Sequence, residues 1–398
     1  MIICLVCREF PPESGVSGTG TYMHSIAKGL ERLGHQITVV SYSRSGETQT
    51  TDGNITVYRI RPKTFKGSGR LQKWAPVWFL NYSFAVYKKL VQLNRQLRFD
   101  IIQIPEWGGE GFFFARRPFC PFVVKVHGPL FLNHRFDRNH KTRILKYLEN
   151  WMEKSVVKRA DAVIYSSRAM QNLTRETWKL KRNNSVVIEN PIDLNAFHPK
   201  KTASDGAERT PTVLYVGRLE YRKGIHVLYR AIPLVMNKNP DVRFVIIGSD
   251  TRTGDKGRSI LSETKEFLER KDLLHGVTFI GPQKRADLVD YYRRCDIFVM
   301  PSLFEPVGFT AIEAMACGKP VVVSSNAGIA ERIEDGLSGY LIEPGSASAL
   351  AEKINFILEL NQKQREKIGA AARGAVNPLS FENIGRELEN LYKDIIGR

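Results

Sequence analysis

Cysteine is scarce in this chain, with five residues in 398. An odd, sparse count offers no framework of paired bridges, so the sequence predicts a protein that folds without disulfides and suits a reducing cytosol. Cys4 and Cys7 stand in C-x-x-C spacing, but both lie in the apolar run Ile2–Cys7 and no second cysteine pair follows to complete a zinc site. They read as buried thiols. Long hydrophobic runs are also missing. The stretch from Trp74 to Tyr87 is interrupted by Asn81 and Ser83, and Met1–Cys7 stops at Arg8 and Glu9 without a cleavage-site pattern, so neither a transmembrane span nor a secretory signal is expected. The eight histidines form no H-E-x-x-H or paired-ligand spacing, which argues against a catalytic zinc.

Acidic residues are in deficit, 41 against 59 lysines and arginines, and the formal net charge is +18. The deficit is local. Residues 1–195 hold 30 basic side chains against 15 acidic ones, whereas residues 196–398 hold 29 against 26. Between Gly53 and Phe99 there are ten cations and no carboxylate. A half of this kind should seek an anionic surface. Arg70–Phe99 also carries Trp74, Trp78, Phe79, Tyr82, Phe84 and Tyr87, a combination that suits an amphipathic segment on an anionic membrane; the alternative is that the aromatics are core and the cations solvated. No helix-turn-helix, zinc-finger or RNP-like signature accompanies the charge, so no nucleic-acid partner is expected.

What is present is globular: 42% hydrophobic and 25% charged residues lie outside the disordered range, and the length fits about two domains. Short β-rich runs alternate with helical patterns, the rhythm of parallel α/β units. Strands are predicted at Ile2–Cys7, Gln36–Ser41, Ile55–Ile60, Asp100–Ile104, Phe122–Val126, Asp161–Tyr165 and Ser185–Ile188. Helices fall between them near Trp74–Leu97, Leu145–Lys158 and Ala169–Trp178. A polar stretch from Asn190 to Thr212 breaks the rhythm and reads as a linker. A second series follows, with strands at Val213–Val216, Arg243–Ile247, Val277–Ile280, Ile297–Met300, Pro320–Val323 and Tyr340–Ile342. The expected domains are 1–195 and 212–379, joined by a linker at 196–211, with a terminal helix in 380–398 docking on the first domain.

Two segments carry chemistry. In FEPVGFTAIEA, Glu305 and Glu313 bracket a loop that turns into a helix, so the amides of Gly308, Phe309 and Thr310 can cradle a phosphate at the positive end of the helix dipole. Acceptors so spaced can hold hydroxyls on either side of a diphosphate. In GRLEYRKG, which follows the first strand of the second domain, Arg218 and Lys223 should stand at a strand's carboxyl end, where open parallel sheets bind ligands, and could neutralise a diphosphate without a metal. The plain alternatives are a solvated helix and a basic surface loop.

These segments, with CDIFVMPSLFEPVGFTAIEAMACGKPVV, AGIAERIEDGLSGYLIEPG and the linker phrase ENPIDLNAFHP, make the chain resemble a retaining family-four glycosyltransferase over nearly its whole length. The resemblance implies the α/β GT-B fold, two Rossmann-like parallel-sheet domains facing across a cleft, and retaining transfer of a sugar from a nucleotide-sugar with no essential metal or cofactor. It assigns Arg218 and Lys223 to the donor diphosphate, Glu305 to the transferred sugar, Glu313 to the ribose and the amides of 308–310 to phosphate. Glu331 is a weaker donor-site candidate that could instead cap its helix. His127, in KVHG after a first-domain strand, would stand near the reacting sugar. The chain departs from the family in its first loop, where Ser17-Gly18 replaces Gly-Gly; Gly18 and Gly20 still permit close backbone approach to a substrate. As a dinucleotide fingerprint, Gly15 to Gly20 has the wrong spacing.

The expected enzyme is a cytoplasmic or peripheral-membrane glycosyltransferase acting on a glycan or lipid-linked acceptor, in polysaccharide or glycolipid biosynthesis. The donor would bind mainly in the second domain and the acceptor mainly in the first. Glu106, in PEWGGEG, is the one first-domain carboxylate that could challenge a front-face displacement, and it reads as an acceptor-site or loop residue. The competing readings are a nucleotide-sugar epimerase of the same fold and a non-catalytic carbohydrate- or membrane-binding scaffold.

Overall fold

The computed structural model of the protein describes residues 1–12, 17–62, 75–132, 143–180, 184–200 and 210–397. Trp74 and the cations Lys63, Lys66, Arg70 and Lys73 lie outside the described residues, as do Gly15, Val16 and the centre of the predicted linker. The described residues divide into two compact units, one made of those within 1–132, 143–191 and 381–397, the other of those within 192–380.

The first unit is built on an eight-stranded sheet. Its strands are β1 (Ile2–Val6), β2 (Gln36–Tyr42), β3 (Thr48–Asp52), β4 (Ile55–Ile60), β5 (Ile101–Pro105), β6 (Phe122–Val126), β7 (Ala162–Tyr165) and β8 (Ser185–Val187), in the order β3-β4-β2-β1-β5-β6-β7-β8. All neighbours pair in parallel except β3 and β4, which form an antiparallel hairpin at one edge. The central strands are buried on both faces, which is why β1, β5 and β6 are almost wholly apolar, with Gln103 and Lys125 the polar residues buried among them. Helices α1 (Gly18–Arg32), α2 (Ala75–Leu97), α3 (Arg143–Val157) and α4 (Arg168–Trp178) are the described helices of this unit's main segment.

Helix α2 corrects one expectation. Its aromatics are largely spent inside the unit. Phe79 and Tyr82 are buried, Trp78 stacks on Tyr82 with ring centroids 5.3 Å apart, and the Arg8 guanidinium lies 5.6 Å over the Trp78 ring. The helix grips the sheet with the residues that made it look like a membrane segment.

The second unit carries a fully parallel six-stranded sheet in the order β11-β10-β9-β12-β13-β14, made of β9 (Thr212–Val216), β10 (Arg243–Ile247), β11 (Val277–Ile280), β12 (Ile297–Met300), β13 (Val321–Ser324) and β14 (Tyr340–Ile342). Around it run α5 (Ile225–Met236), α6 (Ile260–Glu269), α7 (Arg285–Arg294), α8 (Phe309–Ala316), α9 (Ala347–Glu359) and α10 (Gln362–Val376). Val213, Phe244 and Val299 from the sheet close on Ile232, Leu350 and Ile354 from the helices, forming one buried core. The last helix, α11 (Phe381–Ile396), belongs to the first unit, where it packs on α1.

Candidate active site

In the second unit, β9 delivers the chain to Gly217, whose amide bonds to the Ile247 carbonyl at 2.9 Å; the Leu219 amide follows onto Ser249 at 2.8 Å. These ties extend the β9–β10 pairing past the strand end and fix the loop that carries Arg218. The Tyr215 hydroxyl donates to the Arg218 carbonyl at 3.1 Å. A short turn, Tyr221–Lys223, then leads into α5.

That loop gathers charge. Glu220 bridges Arg218 at 2.8 Å and Arg222 at 3.1 Å. Arg222 is buried and also donates to the Phe304 carbonyl at 3.0 Å, which ties this loop to the one after β12. Lys223 pairs directly with Glu305, and Arg222 stands 3.9 Å from the same carboxylate. Burial alone would raise the Glu305 pKa, but the charges of Lys223 and Arg222 outweigh it and hold the carboxyl below its usual range. Three cations against two carboxylates leave one positive charge over. Arg218 is the cation presented outward, with 58% of its side chain exposed.

After β12 the chain reaches Glu305 and enters α8 at Gly308. Gly308 has φ 98°, in the left-handed region, and a Cβ there would lie 2.7 Å from Ile329 Cγ2. The first intrahelical acceptor is its own carbonyl, taken by Ala311 and Ile312 at 3.0 Å each. The amides of Phe309 and Thr310 precede them at the helix start, where no acidic residue stands in the first turn. Gly328 and Ile329 zip onto the Glu305 and Val307 carbonyls at 2.9 and 2.8 Å, so the turn Gly328–Arg332, with exposed Glu331 on it, rides on the same loop.

Glu313 stands apart from this cluster. Its carboxylate is buried, accepting from Arg285 Nε at 2.7 Å and from the Tyr292 hydroxyl at 2.8 Å. The structure brings Arg218, Lys223 and Glu305 together and turns Glu313 toward α7.

In the first unit, His127 follows β6. Its ring meets the Tyr22 ring edge-on at 4.8 Å, and both ring nitrogens are buried without a hydrogen-bond partner. Burial, and secondarily the Lys125 charge, hold its pKa well below the ordinary value, so the imidazole is neutral. Glu106, at the end of β5, is fully buried and accepts from the His127 amide at 2.9 Å and the Gly128 amide at 2.7 Å. Burial pushes its carboxyl up to about 7 despite those amides. It therefore orients the His127 loop. Glu153 does the same for Gly108 and Leu130, each at 2.9 Å, and Glu110 takes the Arg8 amide at 3.1 Å. Three buried carboxylates thus clamp the loops that follow β1, β5 and β6.

Gly18 opens α1 behind the cap Ser17, whose hydroxyl accepts from the Gly20 amide at 3.1 Å. The close approach at Gly20 is chain to chain: a Cβ there would lie 2.5 Å from the Glu9 carbonyl oxygen. Sequence reasoning passed over Arg222, Glu220, Glu110 and Glu153. The signal for Glu153 was available, because Glu149 and Glu153 share the helix face of Met152 and Val156, and carboxylates on an apolar face need partners. Among the described residues, no group of three or more His, Cys, Asp or Glu side chains is placed to hold a metal ion.

Comparison with known proteins agrees with this architecture. The profile described as Glycosyl transferases group 1 matches residues 198–375, and that described as Glycosyltransferase Family 4 matches residues 16–196. An uncharacterized glycosyltransferase of Methanocaldococcus jannaschii is 26% identical, with 100% of both chains covered. Among solved structures, sucrose-phosphate synthase from Thermosynechococcus elongatus superposes with a TM-score of 0.80 at 23% identity, covering 100% of this chain and 99% of its own. The Anabaena protein HepE, solved in complex with UDP and glucose, gives 0.71 at 22% identity, with 98% of both chains covered. The fold is GT-B, and the class it defines is that of glycosyltransferase enzymes. The chain belongs to the group 1 glycosyltransferases, with a family 4 N-terminal portion.

Proposed function

We propose that the protein transfers a sugar from a nucleotide-sugar to an acceptor hydroxyl, with retention at the anomeric carbon and without an essential metal. The reading places it in polysaccharide or glycolipid biosynthesis at the cytosolic face of a membrane. The observation that carries it is the cluster of Arg218, Arg222 and Lys223 held by Glu220 and by Glu305, which stands just ahead of the α8 start. A diphosphate leaving group needs positive charge where its own charge develops, and fixed cations beside free helix-start amides supply it. The neighbour solved with UDP supports a nucleoside diphosphate as the occupant.

In this mechanism the acceptor oxygen attacks the anomeric carbon from the face that the phosphate leaves. The bond to the phosphate oxygen breaks, and the acceptor proton passes to that oxygen. Arg218 and Lys223 stabilise the departing diphosphate, together with the amides of Gly308, Phe309 and Thr310. Glu305 grips hydroxyls of the transferred sugar and keeps Lys223 charged. Glu313 reaches the ribose only by giving up Arg285. Glu331 is a further donor-site candidate. Neutral His127, held by Glu106, accepts or donates a hydrogen bond at the reacting sugar, and Gly18 and Gly20 open α1 toward the acceptor side.

The test is a thermal-shift screen against UDP-, GDP- and ADP-sugars, followed by transfer assays with NMR assignment of the product anomer. Arg218→Ala should cut turnover about 10²–10³-fold with an unchanged melting temperature, since that side chain is exposed. Lys223→Ala should cut turnover similarly and also lower the melting temperature, because it leaves Glu305 facing Arg222 alone. Activity lost in EDTA and restored by Mn²⁺ would overturn the metal-independent part. Donor turnover to an isomerised nucleotide-sugar without acceptor would favour an epimerase.

A further inference from the structure

Helix α3 carries an outward apolar stripe that the proposed chemistry does not use. Ile144, Tyr147, Leu148 and Trp151 are 71%, 69%, 38% and 44% exposed, and their spacing of three, four and seven puts them on one face. Such a stripe on an ordinary soluble helix would face the core. Here the core side is taken by Met152, Val156 and Val157, and the helix's two carboxylates, Glu149 and Glu153, are buried as well. The outer face is therefore apolar and basic, with no acid on it.

The same stripe continues into cations. Lys154 and Lys158 follow Trp151 at helical spacing, and Lys179 stands near enough that burial, then the charges of Lys158 and Lys179, lower the Lys154 pKa. On the other flank, the Arg116 guanidinium lies 5.4 Å from the Trp151 ring and 3.4 Å over Phe112. Buried Phe112 meets Phe113, Phe113 meets Phe84, and Lys88 lies 4.7 Å over Phe84, so half-buried Phe113 and Phe84, the latter topped by a cation, run on from α3 toward α2.

We propose that the outer face of α3 is the surface by which this protein docks on an anionic lipid bilayer. The proposal rests on the membrane part of the reading above and gives it a location. Trp and Tyr at the level of the headgroups, aliphatic Ile144 and Leu148 between them and cations around the rim are what an interfacial helix needs. Charge complementarity selects this occupant. A second copy of the chain would bring an equally basic half, 30 cations against 15 acids, to the same face, whereas anionic headgroups attract each of its cations.

The experiment compares the full-length protein with a Tyr147→Ser/Trp151→Ser double variant and a Lys154→Glu/Lys158→Glu double variant. Cosedimentation uses vesicles of phosphatidylglycerol with phosphatidylcholine and vesicles of phosphatidylcholine alone. Thermal melting and nucleoside diphosphate binding report that each variant is folded. Wild type should bind the anionic vesicles and lose binding as salt rises, and each variant should bind them about tenfold more weakly or worse. If wild type binds and both variants bind equally well, the α3 surface is refuted while membrane association survives. No binding of wild type to either vesicle defeats both. A wild-type dimer in light scattering that the Ser variant dissociates would assign the stripe to self-association and overturn the proposal.

Discussion

At the residue scale, the most informative groups are buried carboxylates whose only task is to hold backbone. Glu106 is pushed up to about 7 from an ordinary 4.5, and Glu110 to about 8, in both cases by burial first. A carboxyl with a raised folded pKa binds more protons folded than unfolded, so its contribution makes stability fall as pH rises, for Glu106 from about 4.5 to about 7. Lys125 runs the other way: burial lowers it to about 7 from 10.5, so its contribution makes stability rise only above neutrality. Between pH 5 and 7 the three raised carboxyls Glu106, Glu110 and Glu153 outnumber His127 and His35, whose pKa values burial lowers and whose contributions therefore rise with pH up to about 6.5, so the urea midpoint should decline. Glu106→Gln removes the charge but keeps an oxygen for the His127 and Gly128 amides, so it should flatten that decline by at most about 3 kcal/mol. An unchanged slope would show that Glu106 does not titrate in this window. The sequence marked Glu106 as a residue at a strand end but could not show what it holds, because the amides it serves lie 21 and 22 residues on.

At the element scale, legibility followed burial. Ile55–Ile60, Phe122–Val126, Arg243–Ile247 and Ile297–Met300 have the bounds that the apolar pattern predicts, since each buries the residues that define it. Strand β3 was invisible because all five residues, Thr48–Asp52, are exposed and polar, so it pairs with β4 through backbone and polar side chains, Arg59 donating to the Thr50 hydroxyl at 3.1 Å, rather than through an apolar face. Helix α10 was missed for a related reason: its buried side hangs on Ile368, Ala372 and Val376, too thin a stripe to read. Its start was signalled by Asn361 and Gln364, which form a capping box. The packing of α11 on α1 depends on two small residues. A Cβ on Gly29 would lie 2.4 Å from the Phe381 carbonyl oxygen, and Gly385 faces the same spot. Gly29→Val should therefore cost about 1–3 kcal/mol and speed hydrogen exchange along α11, while β9–β14 keep their protection. Uniform loss of protection would mean that the contact is not local.

At the scale of the whole molecule, the chain leaves its first unit after residue 191 and returns to it at 381, so α11 completes a unit that the preceding 189 residues, 192–380, do not belong to. It is anchored there by the Tyr392 hydroxyl, which donates to Gln103, by the Arg32–Glu382 pair and by His35 against Glu389 at 3.2 Å. Gln103 in turn donates to the Tyr22 hydroxyl at 3.2 Å, beside His127. Composition revealed the charge split between the two halves, but not that the last helix supports the histidine loop, because that link runs through side chains 289 positions apart. Two perturbations should then act on different units. A saturating nucleoside diphosphate at about 100 times its Kd should stabilise the second unit by about 2.7 kcal/mol and raise only its calorimetric transition. Truncation after Ser380 should lower the other transition and leave nucleotide binding intact. A single transition shifted equally by both treatments would show that the units unfold as one and that α11 serves the second unit as much as the first.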